Sequence, residues 1–228
     1  YLAHTQGMTV QRPLWMNFPD DGVAADTEYQ FMLGNEVMVV PVVDQGRTSV
    51  DGYFPQGQLW YDFSSLALSV DSSAGGLTKT LDTPLESVNV FVRGGSVLPM
   101  QEAKMTTTEA RTTPFTLTIA LCKNNGAFGS LFFDDGVQID LKQYLSVDYQ
   151  AKDGALTATI NHDSLSATVP TIGTIRISGK DLATTSKVAL NGAPLDSSNW
   201  SMGSATGVLT INLGTGISIK DAFTLTWE

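Results

Sequence analysis

The chain reads as mainly β: one strand of a buried type near its start, followed by two antiparallel β-sandwich domains. Three observations carry this expectation. The run Val37-Met38-Val39-Val40-Pro41-Val42-Val43 is continuously apolar and rich in β-branched residues, the composition of a strand covered on both faces, as in a parallel barrel sheet. Between about residues 45 and 140, short apolar stretches are punctuated by Gly, Pro, Asp and Ser, the rhythm of a small antiparallel sandwich. From about residue 141 onward apolar and polar residues alternate one for one, as strands with one wet face require.

Taken in order, Tyr1-Leu2-Ala3-His4-Thr5-Gln6-Gly7 reads as the last turns of a helix that stops at Gly7, which implies a fragment or a processed chain. The Arg12-Pro13-Leu14-Trp15 segment is a loop, and Pro41 ends the apolar strand because proline cannot donate to a ladder. Strands are expected over residues 50–54, 59–63, 88–92, 115–121 and 129–133, with a polar loop over 102–113. Beyond that, Leu156, Ala158 and Ile160 oppose Thr157 and Thr159, and Ile175 and Ile177 oppose Thr174, Arg176 and Ser178. Leu209, Ile211 and Leu213, then Phe223, Leu225 and Trp227, repeat the pattern, and Asn191-Gly192 marks a tight turn. The expected domains are 1–44, 45–140 and 141–228, with the last boundary near 138–150 and no helix longer than three turns after residue 45.

Composition excludes whole classes of function. Hydrophobic residues make up 42% of the chain and charged residues 16%, a globular balance that argues against disorder. Asp and Glu outnumber Lys and Arg by 23 to 13, so there is no electrostatic footprint for nucleic acid, and a neutral substrate such as a sugar is compatible. The single Cys122 cannot form an internal disulfide and is expected to be a buried structural thiol. His4 and His162 have no partners at ligand spacing, so no metal site and no cofactor are expected. No apolar run approaches a membrane span. The sequon Asn199-Trp200-Ser201 makes Asn199 a candidate N-glycosylation site if the chain is secreted.

Few residues qualify for chemistry. Asp134-Asp135-Gly136 follows an apolar strand and reads as a turn. Asp20-Asp21-Gly22 reads the same way, with the alternative that its loop approaches a substrate. Arg12 and Arg93 are expected in structural ion pairs, and Arg93-Gly94-Gly95 in a turn with positive φ. Trp15, Trp60, Tyr61 and Phe63 are candidates for stacking on sugar rings or, as aromatics in β modules usually are, for the core. Glu36 is placed at the wrong end of its strand for a barrel active site. No serine-nucleophile elbow, phosphate loop or dinucleotide motif is present.

Several segments together resemble the carboxy-terminal part of a family 31 glycoside hydrolase of the α-glucosidase and maltase-glucoamylase type. They are Arg12-Pro13-Leu14, the stretch from Tyr29 to Val42, Tyr53-Phe54-Pro55, Trp60-Tyr61-Asp62, Val92 to Gln101, Thr113-Pro114-Phe115, Leu131 to Gly136 and the closing Phe223 to Trp227. The resemblance implies that residues 37–42 are the last strand of a (β/α)8 barrel and that residues 1–44 end that barrel. It implies a retaining exo-α-glucosidase acting on malto-oligosaccharides or related glucans, with both catalytic aspartates upstream, so that no catalytic residue and no substrate-binding residue maps onto this chain. The expected partners are the rest of the barrel and the glucan, and the expected location is secreted, lysosomal or vacuolar. An α-xylosidase or α-glucan lyase on the same scaffold, or a free-standing carbohydrate-binding or adhesion module, remain the alternatives. The free-standing module requires residues 1–43 to pack back onto the β domains.

Overall fold

A computed structural model describes residues 1–180 and 182–228. The chain divides into two compact units, Tyr1–Gly94 and Gly95–Glu228.

The first unit begins with α1 (Leu2–Gln6), which Gly7 terminates in the left-handed conformation. It continues through β1 (Gln11–Pro13), α2 (Leu14–Asn17), α3 (Gly22–Asp26), β2 (Phe31–Leu33) and β3 (Val37–Val40). The remaining strands are β4 (Ser49–Phe54), β5 (Leu59–Asp62), β6 (Leu68–Asp71), β7 (Leu77–Asp82) and β8 (Asn89–Arg93). Six of them form one sheet in the order β1-β2-β3-β8-β5-β6, and β4 pairs with β7 in a second layer. Between the layers lies one apolar cluster that includes Leu14, Met32, Met38, Val40, Phe54, Trp60, Leu81 and Phe91. Phe54 meets Phe91 edge to face at 5.0 Å and Trp60 at 6.1 Å between centroids, the geometry that aromatic quadrupoles favour.

The barrel expectation for residues 37–42 is corrected by the strand pairing. Strand β3 is antiparallel to β2 on one side and to β8 on the other, whereas a barrel strand runs parallel to both neighbours. Its burial alternates, with Met38 and Val40 buried and Val37 and Val39 half-buried. A short apolar run does not tell a two-sided from a one-sided strand when the outer face is also partly covered.

The second unit contains β9 (Ser96–Gln101), α4 (Thr107–Ala110), β10 (Phe115–Ala120), β11 (Ala127–Asp134), β12 (Tyr144–Lys152), β13 (Ala155–Asp163) and β14 (Thr171–Ser178). It ends with β15 (Val188–Leu190), β16 (Ala193–Pro194), β17 (Trp200–Met202), β18 (Leu209–Ser218) and β19 (Phe223–Trp227). All but α4 belong to one sheet ordered β16-β15-β19-β13-β12-β11-β9-β10-β14-β18-β17. Leu117, Ile119, Val147, Tyr149, Leu156, Ile175, Leu209 and Leu225 form a single core, so the sheet is rolled around its own apolar face. The alternation read from sequence is what this requires, because every strand offers one face to that core. Asn191 and Gly192 have φ of 50° and 79° and join β15 to β16 in the expected tight turn.

The compact units do not coincide with divisions at 44/45 and 140/141. Strand β3 is bonded to β8, which ties residues 37–40 to strands later in the chain. Strand β11 pairs along its whole length with β12, from Ala127↔Ala151 to Asp134↔Tyr144, so the change in sequence rhythm near 138–150 marks a hairpin connection inside a sheet. The chain instead passes from one unit to the next at Gly94-Gly95, where Gly95 has the expected positive φ, 101°. The loop at 102–113 carries the one-turn α4, whose amino end is capped by Thr106.

Gly129 in β11 is the position least able to accept a side chain. A Cβ there would lie 1.9 Å from the carbonyl oxygen of Val97, a clash with backbone of an adjacent strand that no rotamer relieves. Gly129→Ala is expected to destabilise the protein by about 3 kcal/mol or more, beyond the usual point mutation, read as a fall in Tm. A wild-type Tm would refute this close approach of the two strands.

Candidate functional site

Polar side chains from distant parts of the sequence gather around the connection between β2 and β3. Gly34 takes φ of 62° there, and its amide donates to the Val10 carbonyl at 2.8 Å. Arg12 donates through Nη1 to Asn35 Oδ1 at 2.8 Å and through Nε to the Thr9 carbonyl at 2.8 Å. Asn17 Nδ2 donates to the same Asn35 oxygen at 2.9 Å and to the Gly34 carbonyl at 3.3 Å. Glu36 closes the connection by accepting the Asn35 amide at 2.7 Å, and its carbonyl accepts the Arg93 amide at 2.7 Å.

The Arg93 side chain lies over the Phe18 ring, with the guanidinium carbon 4.8 Å from the centroid, and donates through Nε to Gln58 Oε1 at 2.8 Å. Burial lowers its pKa and the charge of Glu36 opposes that change. A guanidinium stays ionised throughout. The expected ion pairs therefore take another form: Arg12 is held by a side-chain amide and a carbonyl, and Arg93 by a glutamine, an aromatic face and the field of Glu36.

Beside Arg93 opens a cleft of about 540 Å³. Its lining includes the Asp20-Asp21-Gly22 loop, Tyr53, Gln56 and Gln58. Asp21 caps α3, Oδ1 accepting from the amides of Val23 at 3.1 Å and Ala24 at 3.2 Å. Its two oxygens also accept from the Tyr53 hydroxyl at 2.9 and 2.7 Å. Burial by itself would raise the Asp21 pKa, but the hydrogen bonds from Tyr53, Ala24, Gln56 and Val23 outweigh it and the pKa is lowered. Tyr53 is pushed up to about 12 by burial, by its bond to Asp21 and by that residue's charge. Its backbone is clamped by the buried Gln30, whose Oε1 accepts the Tyr53 amide at 2.6 Å and whose Nε2 donates to the Tyr53 carbonyl at 2.9 Å.

The other candidates resolve one by one. Asp134 pairs with Arg111 at 3.6 Å, and the Arg111 guanidinium also lies 4.5 Å from the Phe133 ring centroid. Asp135 accepts from the amides of Val137 at 2.9 Å and Gln138 at 3.0 Å, which lower its pKa, and Gly136 has φ of 72°; this is the expected turn. Trp60 and Tyr61 are wholly buried, while Trp15 is 50% exposed and Phe63 half-buried. Cys122 is half-buried and lies beyond the end of β10, a correction to the buried strand thiol. No group of metal-ligating side chains occurs among the described residues. Asn199 is exposed.

Sequence reasoning missed Asn17, Gln30, Asn35 and Arg111. The signal was there for Gln30, a polar residue directly before the apolar β2. A buried amide of this kind has to find backbone partners.

The Asp21–Tyr53 bond has a defined pH window. Asp21 is lowered on folding, so its stabilisation is complete above the ordinary carboxylate range near about 4 and is lost as pH falls through the lower folded value. Tyr53 is raised on folding, so its stabilisation is complete below about 10 and is lost as pH climbs through about 12. Tyr53→Phe is expected to cost about 1–2 kcal/mol at neutral pH, with the gap to wild type closing in acid, as read by urea unfolding across a pH series. A gap that persists unchanged to about pH 2 would assign the loss to packing.

The Glycosyl hydrolase family 31 C-terminal domain matches residues 7–98. The chain is 43% identical over 162 residues to the α-glucosidase of Aspergillus oryzae, covering 70% of this chain and 16% of that protein. It is 30% identical over its whole length to the lysosomal α-glucosidase of Mus musculus, of which it spans 25%. In fold it is similar to the Tris-bound glucosidase II alpha subunit, with a TM-score of 0.83, 22% identity, and coverage of 99% of this chain and 26% of that one. A family 31 dextranase from Flavobacterium johnsoniae superposes with a TM-score of 0.79 at 23% identity, covering 99% and 30% of the two chains. The chain thus spans a sixth to a quarter of these two curated relatives. By the family match and the identity to these α-glucosidases, the chain belongs to glycosyl hydrolase family 31 as a carboxy-terminal portion of the α-glucosidase type.

Proposed function

We propose that this chain is the non-catalytic, carboxy-terminal part of a retaining exo-α-glucosidase that releases terminal α-linked glucose from malto-oligosaccharides or related glucans. The observation that carries this reading is electrostatic. A glycosidase acid is a carboxyl group whose pKa is raised, set opposite a second, ionised one. Asp21, Asp62, Asp135 and Asp196 all have a lowered pKa, the opposite of what a glycosidase acid needs. Each is engaged in a cap or turn: Asp62 accepts from the amide and hydroxyl of Ser65 and of Ser64, and Asp196 from the Ser198 amide. They serve the fold, and being held as anions they carry no proton to donate to a leaving group.

The catalytic aspartates then belong to upstream sequence, and the partner of this chain is the barrel that carries them. Residues 1–11 are exposed throughout. Of the seventeen large apolar side chains exposed among the described residues, ten, from Tyr1 to Val43, fall within the first 43 residues, a density along the chain that supports an interaction surface there. Residues 11–40 do pack into the first unit, as a free-standing module requires, but this apolar exterior favours the larger enzyme. No helix among the described residues is long and apolar enough to cross a membrane. The named lysosomal and fungal relatives favour a secreted, lysosomal or vacuolar location.

The isolated chain is expected to show no hydrolysis of nitrophenyl α-glucoside, and the full-length enzyme to hydrolyse it. In the full-length enzyme, Asp20→Asn and Asp135→Asn should leave kcat/KM within about twofold, since loss of one member of a working carboxylate pair costs orders of magnitude. Turnover by the isolated chain, or a collapse of kcat in either variant, would place catalysis here.

A further inference from the structure

The rolled sheet of the second unit has a seam. Its two terminal strands, β16 and β17, follow one another in sequence, so residues 195–199 run directly from one end of the sheet order to the other. Among the described residues, strand β16 pairs only with β15 and strand β17 only with β18, so no ladder between the ends of the sheet is seen there. The β16 end is blunted by its brevity and by Pro194, which has no amide to offer. The β17 end is also short, at three residues, but it has no proline: Trp200, Ser201 and Met202 all carry amides.

The single Asn-X-Ser/Thr sequence of the chain lies on that end. Asn199 closes a 3-10 turn over Ser197–Asn199, and its amide donates to the Asp196 carbonyl at 2.9 Å. Asp196 fixes the turn, Oδ1 accepting the Ser198 amide at 2.8 Å. Trp200 is half-buried and packs on the core of the unit, while Asn199 and Ser201 on either side of it are exposed. The acceptor amide and the hydroxyl that defines the sequon therefore both face solvent, and the residue between them anchors the segment.

We propose that Asn199 is an N-glycosylation site whose glycan covers the unpaired β17 end of the seam. This rests on the secreted, lysosomal or vacuolar location, since the donor is a lumenal polyprenyl-diphosphate-linked oligosaccharide. The Asn199 amide nitrogen bonds to the anomeric carbon of the sugar, the bond from that carbon to the diphosphate breaks, the polyprenyl diphosphate departs, and the amide gives up one proton to a base. A bulky hydrated group at the start of β17 keeps another chain from adding a strand to that edge.

The test is peptide mapping of the full-length protein from its native source, after enzymatic release of N-glycans in heavy-oxygen water. The expected result is a labelled aspartate at position 199 and no unmodified Asn199 peptide. Unmodified Asn199 in protein recovered from the medium, lysosome or vacuole overturns the site alone, and unmodified Asn199 in protein recovered only from cytosol overturns the location as well. Asn199→Gln and Ser201→Ala each remove the sequon in different ways. Both are expected to keep the activity of the full-length enzyme and to form larger species by light scattering where the glycosylated protein stays monodisperse. Two monodisperse variants would overturn the shielding role.

Discussion

Arg12 and Asn17 both donate to the one side-chain oxygen of Asn35, and much of the first unit depends on that convergence. It fixes the connection in which Gly34 is left-handed and so sets the register of β2 against β3. Register decides which residues face inward, since a slip of one residue would turn Met32 and Met38 out of the core and their neighbours into it. From β3 the constraint passes to β8, whose Arg93 amide is bound by the Glu36 carbonyl, and from β8 to β5, where Trp60 is opposite Arg93. The arrangement has a cost, since Asn17 Oδ1 is buried without a hydrogen-bond partner among the described residues, which is worth about 1–3 kcal/mol when unrelieved. The other bonds of the network offset it.

This convergence explains why the most recognisable segments of the sequence lie so far apart in it. Arg12-Pro13-Leu14, Gly34-Asn35-Glu36 and Val92-Arg93-Gly94 meet around one connection, so each constrains the others. The ion-pair expectation captured the importance of the two arginines but chose the wrong partners, because a sequence names charges and does not show that an amide or a ring face is nearer. Placing residues 37–42 in a parallel barrel failed for a related reason. Strand direction is a property of pairs of strands, and nothing within a six-residue apolar run encodes its neighbours' polarity.

The second unit was more legible because alternation at period two carries its information locally. The inward residues Leu156 and Ala158, Ile175 and Ile177, Leu209 and Ile211, and Phe223, Leu225 and Trp227 are buried as the pattern requires. What alternation does not specify is how many strands share one sheet. Residues 135–143 open on the turn pair Asp135-Gly136, which suits a domain linker and a hairpin connection equally, and the pairing of β11 with β12 distinguishes them. The carboxylates follow the same logic: a side chain that satisfies backbone amides in a turn is stabilised as the anion, so residues chosen for turn-making are disqualified as acids by the bonds that recommend them.

A sheet rolled until its first and last strands lie a few residues apart in sequence gains a single continuous core, with no second apolar face to cover. It does not gain closure, because a barrel abolishes its edges only when the terminal strands bond to each other. Here β16 is too short and proline-terminated to offer β17 a ladder, and the link over residues 195–199 is occupied by a turn that Asp196 holds in place. Two features that protect one end of the seam, brevity and Pro194, therefore also prevent it from protecting the other. The β17 end has its three-residue brevity but no proline, and the exposed side-chain amide of Asn199 is where the chain offers an attachment that would add to its protection.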